Sequence, residues 1–214
     1  MLSNNQQAFL ALVKAGLWEK EVQLSLFNEI DFNEVYRLAQ EQSVTGLVAA
    51  GLEHVEDIKT PQEIALTFAG EALQLEQRNK AMNNFISVIV GKMRGVGIYT
   101  LLVKGQGVAQ CYERPQWRSC GDIDFYLSPD NYTKSKHYLQ SLASSVDEED
   151  KNKKHLGMTI DPWVVELHGA LPFGLSSRVD KVIIEAQNDV FSCGNVRTWM
   201  NCNTQVFLPS PDND

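Results

Sequence analysis

Residues 98–127 read IYTLLVKGQGVAQCYERPQWRSCGDIDFYL. The runs Ile98 to Val103 and Ile123 to Leu127 are apolar enough to be buried strands. Between them stand a Lys104-Gly105-Gln106-Gly107 turn, a short helical segment expected over Val108 to Tyr112, and the run Arg118-x-x-x-Asp122-Ile123-Asp124.

Side chains of a strand alternate between faces, so Asp122 and Asp124 point one way while Ile123 and Phe125 point into a core. Two carboxylates about 7 Å apart along one face of a strand can converge on a divalent ion, and a Mg²⁺ pair held in this way can clamp the oxygens of a phosphoryl transfer. Such a site calls for a third carboxylate from a neighbouring strand. Trp163 to His168, WVVELH, supplies one: its alternation puts Glu166 and His168 on one face. The plainer reading of Asp-x-Asp is a strand-end pair facing solvent. The chain has a second such pair, Asp212 and Asp214, in a polar tail. Only Asp122 and Asp124 lie inside an apolar run, where an uncompensated carboxylate is costly.

Lys104 and Gly105 follow the first strand directly. A glycine there permits a sharp turn and lets a phosphate approach the following amides, and Lys104 can meet that phosphate as a point charge. The alternative is a tight turn with a solvated lysine, since the pattern is neither a P-loop nor a dinucleotide fingerprint. Arg114 and Arg118 flank Pro115 and Trp117, and either can hold a triphosphate or pair with a carboxylate; Arg118, four residues before Asp122, is the stronger candidate. His155 and His168 are each either satisfied structural residues or groups that orient a phosphate or act as a base, with His168 favoured because it shares a face with Glu166.

Strand, Lys-Gly, helix, Tyr112 near Pro115, Arg118-x-x-x-Asp122-Ile123-Asp124 and later Glu166-Leu167-His168 resemble the uncharacterised nucleotidyltransferase family of the DNA polymerase β-like superfamily, over about Ile98 to Leu208. The resemblance implies a small mixed sheet flanked by helices, a bound NTP with Mg²⁺, two ions being expected, and transfer of a nucleoside monophosphate to an acceptor with release of pyrophosphate. By the resemblance Asp122 and Asp124 are catalytic metal ligands and Glu166 is the third carboxylate, while Lys104, Gly105, Arg118 and His168 remain the candidate nucleotide-binding residues. The resemblance names no acceptor. The wider superfamily has Gly-Ser or Gly-Gly after the first strand, where Lys104-Gly105-Gln106 stands here.

The 214 residues are expected to form an α+β protein, with a helical region over 1–95 and a nucleotidyltransferase-like domain over 96–214. A net charge of −8 argues against a broad surface for duplex DNA and leaves a small molecule or a protein as the acceptor. No stretch approaches the ~20 apolar residues of a membrane span, and MLSNNQQ lacks the features of a signal peptide, so a cytoplasmic protein is expected. Cys111, Cys120, Cys193 and Cys202 have no zinc spacing and are expected to be reduced and mostly buried.

In the helical region, Asn4 to Lys14 is an amphipathic segment with Gly16 as its expected end, Asp31 with Glu34 opens a helix through about Gln42, and Val44 to Leu52 is a packed helix or turn. Thr60-Pro61-Gln62-Glu63 starts one long helix to about Arg94. Its seam of Ile64, Phe68, Ala72, Leu75, Met82, Phe85, Ile89 and Met93 is read as support for the sheet, not a coiled-coil interface.

Further on, Ser128-Pro129 opens a helix to about Ala143, and DEEDKNKK (147–154) is a solvated hairpin loop whose charges nearly cancel. His155 to Ile160 and Trp163 to His168 form a hairpin around Asp161-Pro162. Arg178 to Val190 is helical, and Asn195 to Met200 and Gln205 to Leu208 are a closing strand pair. Ser210-Pro211-Asp212 looks like the opening of a further helix, so the chain is expected to be truncated. The competing functions are a catalytically silent nucleotide-binding or protein-interaction module and a phosphohydrolase using the same carboxylates.

Overall fold

The computed structural model describes residues 2–152, 154–170, 175–191 and 195–210. The fold is α+β, as the sequence leads one to expect, and has two compact units, Met1–Lys80 with Ala109–Ser119, and Ala81–Val108 with Cys120–Asp214.

The first unit is helical. It contains α1 (Asn4–Trp18), α2 (Phe32–Glu41), α3 (Thr45–Leu52) and the first part of α4 (Gln62–Gly95). Ser3 caps α1 reciprocally with Gln6: Ser3 Oγ accepts the Gln6 N–H at 3.2 Å, and Gln6 Oε1 accepts the Ser3 N–H at 3.0 Å. The helix does not stop at Gly16. It runs on to Trp18 and closes at Glu19, whose φ of 46° is left-handed. Gly16 serves packing instead, because a Cβ there would lie 1.9 Å from the Leu47 carbonyl oxygen of α3. The two backbones touch at this crossing, above a core that includes Ala8, Leu12, Leu24, Val35, Val48 and Phe68. Asp31 caps α2 as expected, accepting the Asn33 N–H at 2.9 Å, whereas Glu34 turns outward to pair with Arg37.

The segment 109–119 is fastened into this unit by polar contacts. Arg114 pairs with Glu19 at 2.9 Å and Glu53 at 2.8 Å, and its guanidinium lies 4.6 Å from the Trp117 ring. Asn79 of α4 is fully buried and donates through Nδ2 to the carbonyls of Gln116 (2.7 Å) and Arg118 (2.8 Å). These acceptors account for an amide in the middle of an apolar helical seam.

The second unit is built on a seven-stranded mixed sheet of β1 (Leu101–Val103), β2 (Asp122–Tyr126), β3 (Ser145–Val146), β4 (His155–Ile160), β5 (Trp163–His168), β6 (Val196–Asn201) and β7 (Thr204–Pro209), in the order β3-β4-β5-β2-β1-β7-β6. The pairs β2·β5 and β1·β7 are parallel and the rest antiparallel. Its helices are the second part of α4, α5 (Gly105–Ala109), α6 (Pro129–Gln140) and α7 (Ser177–Asp189). The first strand is shorter than the apolar run predicts, and α5 begins at Gly105 rather than Val108. The hairpins β3·β4, around the polar 147–154 run, and β4·β5 form as the pattern predicts; Lys153 lies outside the described residues.

One sheet face carries Ile123, Phe125, Leu156, Met158, Val165 and Leu167, all buried with Met82, Ile86, Ile89 and Met93 of α4 and Leu139 of α6. Of the α4 seam, Met82, Phe85, Ile89 and Met93 support the sheet as expected, whereas Ile64, Phe68 and Ala72 belong to the core of the first unit. Burying so many aliphatic side chains, at about 1.5–3 kcal/mol each, fixes which face the alternating carboxylates must take.

Of the cysteines, Cys120 is buried, but Cys111 and Cys202 are exposed, which corrects the expectation of mostly buried thiols; Cys193 lies outside the described residues, as do Pro211 to Asp214, and with them the expected opening of a further helix. Among the described residues no helix is long and apolar enough to cross a membrane.

Candidate functional site

The site face of the sheet follows from strand register. Parallel pairing of β2 with β5 sets Asp124 opposite Glu166 and Tyr126 opposite His168, and antiparallel pairing of β4 with β5 sets His155 opposite His168. Because Ile123, Phe125, Val165 and Leu167 fill the core, Asp122, Asp124, Glu166 and His168 take the other face. Asp122, Asp124 and Glu166 each offer a carboxylate oxygen, and these oxygens lie within 4.8 Å of one another. The third carboxylate inferred from the alternation of WVVELH stands beside the first two.

Asp124 is the centre of the arrangement. Its side chain is 0% exposed, and Oδ1 accepts hydrogen bonds from Lys104 Nζ at 2.7 Å and His168 Nε2 at 2.8 Å. Among the described residues Oδ2 is buried with no partner. Burial pushes the Asp124 carboxyl up, but the hydrogen bonds and charges of His168 and Lys104 outweigh it and hold the group below the usual aspartate value. Burial likewise works against the Lys104 ammonium, and the hydrogen bond and charge of Asp124, with Glu166 and Asp122 behind it, raise its pKa overall. A buried carboxylate that keeps its charge and leaves one oxygen unpartnered, beside two further carboxylates, is a donor set suited to a hard divalent cation.

The turn that delivers Lys104 is conformationally unusual. Lys104 has φ 53° and Gly105 φ 23°, two successive left-handed residues. A Cβ on Gly105 would lie 2.6 Å from Cys120 Sγ and 3.3 Å from the Asp122 carbonyl oxygen, so the glycine is required both by backbone angle and by space. The Lys104 side chain is 60% exposed along its length, and its ammonium meets a carboxylate rather than projecting freely.

Arg118 belongs to the first unit. Its Nη1 donates to the Ser119 carbonyl at 3.2 Å, and its guanidinium lies 5.9 Å from the Tyr112 ring. The residue that sequence reasoning left undecided is His155. Its Nε2 lies 3.2 Å from Glu166 Oε2, and its ring centroid is 4.8 Å from that of His168. The signal for it was the hairpin itself, since placing the turn at Asp161-Pro162 makes His155 and His168 cross-strand partners.

The model of a family described as uncharacterised nucleotidyltransferase matches residues 28–204. The chain belongs to that family. No curated protein matches it, and no solved structure does. Within this nucleotidyltransferase family chain, the matched region contains Lys104, Gly105, Arg118, Asp122, Asp124, His155, Glu166 and His168. Membership suggests transfer of a nucleoside monophosphate, and the acidic cluster can hold a metal ion.

Proposed function

We propose that the chain is a Mg²⁺-dependent nucleotidyltransferase of the polymerase β-like kind, moving a nucleoside monophosphate from an NTP to an acceptor with release of pyrophosphate. The observation that carries the reading is the convergence of Asp122, Asp124 and Glu166 on one sheet face, with Asp124 Oδ2 buried and unpartnered among the described residues. Asp122, Asp124 and Glu166 hold the metal. When bound, Mg²⁺ neutralises charge on the attacking and leaving oxygens of the transfer.

The chain's own contribution is positioning and charge. His168 and Lys104 fix the Asp124 carboxylate and keep it ionised, so the site is charged before any ligand arrives. Gly105, where no side chain fits, keeps the turn beside this carboxylate narrow enough for a triphosphate to approach its backbone. Lys104, mostly exposed, supplies a positive charge that a phosphate can share with Asp124. With a net charge of −8, a small molecule or a protein is the acceptor this surface suits, in preference to duplex DNA.

The test is calorimetric titration of ATP, GTP, CTP and UTP into the protein with Mg²⁺, beside an Asp122→Ala/Asp124→Ala double variant. Mg²⁺-dependent binding of at least one NTP that the double variant loses, followed by pyrophosphate release in an acceptor screen, is the expected result. Binding without pyrophosphate release from any acceptor indicates a silent module. No NTP binding by folded protein overturns the proposal.

A further inference from the structure

Beside the oxygen cluster stands His155, which the nucleotidyl transfer reading does not use, close to Glu166 and His168, which it does. His155, Glu166 and His168 each offer one ligand atom, and these atoms lie within 4.8 Å of one another. Both imidazoles aim Nε2 at the same carboxylate oxygen: Glu166 Oε2 lies 3.2 Å from His155 Nε2 and 3.4 Å from His168 Nε2. Hydrogen bonding explains only part of this. The Nε2 proton of His168 is directed to Asp124 Oδ1 at 2.8 Å, so the 3.4 Å approach to Glu166 is not made by a second hydrogen bond from the same nitrogen.

A tetrahedral ion with bonds of about 2.0–2.1 Å holds adjacent ligand atoms about 3.3 Å apart. The two observed separations, 3.2 and 3.4 Å, bracket that edge. The cross-strand pairing of His155 with His168 sets both rings on adjacent strands of the sheet, so the spacing belongs to the backbone register and not to a chance rotamer of one surface side chain. Side-chain exposures of 38% for His155, 18% for His168 and 24% for Glu166 leave the position reachable from solvent.

We infer that His155, Glu166 and His168 form a second metal position, which binds a transition ion of the Zn²⁺ or Co²⁺ type in preference to Mg²⁺. Imidazole nitrogen favours borderline first-row ions, and two nitrogens with one carboxylate form a recurrent zinc set that leaves a position open. Mg²⁺ prefers oxygen and keeps its water, so it belongs with Asp122 and Asp124. Glu166 is common to both sets, so the two positions are adjacent. On ion binding, His168 Nε2 gives up its hydrogen bond to Asp124 and the ring carries its proton on Nδ1. The inference holds whether or not the chain transfers nucleotides.

The experiment is a Co²⁺ titration of the nucleotide-free protein in excess Mg²⁺, followed by visible absorption, with Zn²⁺ as competitor. Expected are d–d bands of tetrahedral strength that saturate at one Co²⁺ per chain and are displaced by Zn²⁺ but not by Mg²⁺. His155→Ala removes a ligand with little burial and should weaken Co²⁺ at least about 10-fold, the lower bound for losing even an outer partner of a metal ligand. His155→Gln, which keeps the bulk, should weaken it similarly, and circular dichroism confirms that both variants fold. Asp122→Asn, which alters only the oxygen set, should leave Co²⁺ binding within about 2-fold while abolishing any NTP binding, so failure of one reading does not carry the other with it. The absence of saturable d–d absorption, its displacement by Mg²⁺, or folded His155 variants that bind Co²⁺ like the wild type would overturn the inference.

Discussion

Lys104 Nζ lies 2.7 Å from Oδ1 of Asp124, so the residue that turns the chain out of the first strand, at φ 53°, also neutralises the most deeply buried carboxylate of the site. Backbone strain and charge compensation are thus located in one side chain. Lys104→Gly and Lys104→Ala should therefore differ. Both lose the ion pair, but only glycine relaxes the left-handed φ, so Lys104→Gly should be the more stable by about 1 kcal/mol in urea denaturation. Equal stabilities would show that the turn is not strained.

The depressed pKa of Asp124 sets a pH dependence. A carboxyl whose folded pKa lies below its unfolded value of about 3.9 contributes stability that is present above that value and lost as pH falls through the folded pKa. Asp124→Asn should flatten the acid side of the stability profile below about pH 4, measured as urea midpoints at a series of pH values. An unchanged acid limb would mean that Asp124 is not held ionised by His168 and Lys104.

Gly105→Ala meets two obstacles, the φ of 23° and Cys120 Sγ at 2.6 Å from the added Cβ. The expected cost is about 1–3 kcal/mol. Gly105→Ala combined with Cys120→Ala should recover part of it, because the clash is removed and the backbone angle is not. Full recovery would assign the whole cost to the sulfur.

Two glycines in helices should respond in opposite ways to alanine. At Gly16 the new Cβ would lie 1.9 Å from the Leu47 carbonyl oxygen, a backbone atom that cannot swing aside, and the loss should reach about 3 kcal/mol or more. At Gly70, in α4, a Cβ meets nothing within 4 Å, so Gly70→Ala should stabilise by about 0.5–1 kcal/mol. Thermal melts of the two variants check both.

Asn79→Leu keeps the bulk and removes the donors that hold the Gln116 and Arg118 carbonyls at 2.7 and 2.8 Å. Leaving buried acceptors unmatched costs about 1–3 kcal/mol each. Trp117 lies between those two residues, so its emission should shift with the loss of stability. Unaltered emission and stability would show that the segment does not depend on Asn79.

Much of this was legible along the chain. The alternation of Asp122 and Asp124 with Ile123 and Phe125, and of Glu166 and His168 with Val165 and Leu167, followed from the two-residue period of a strand, and the cores on the other face enforce it. Asp31 and Thr60-Pro61 announced their helices because capping is chemistry within four residues. Gly16 was misread as a helix end because a glycine looks the same in sequence whether it frees a backbone angle or admits a neighbouring backbone. Asn79 gave no signal at all, since its acceptors lie 37 and 39 residues away.

By itself, then, the sequence determined which residues share a face and where most helices begin, because periodicity and capping are local. Only the tertiary structure decided which faces meet. The parallel register of β2 on β5 brought Glu166 to Asp124, the turn at Lys104 carried an ammonium back to the buried carboxylate, and the β4·β5 hairpin set His155 beside His168. Those contacts join residues 13 to 42 positions apart, and their geometry depends on strand pairing and core packing that no local pattern encodes.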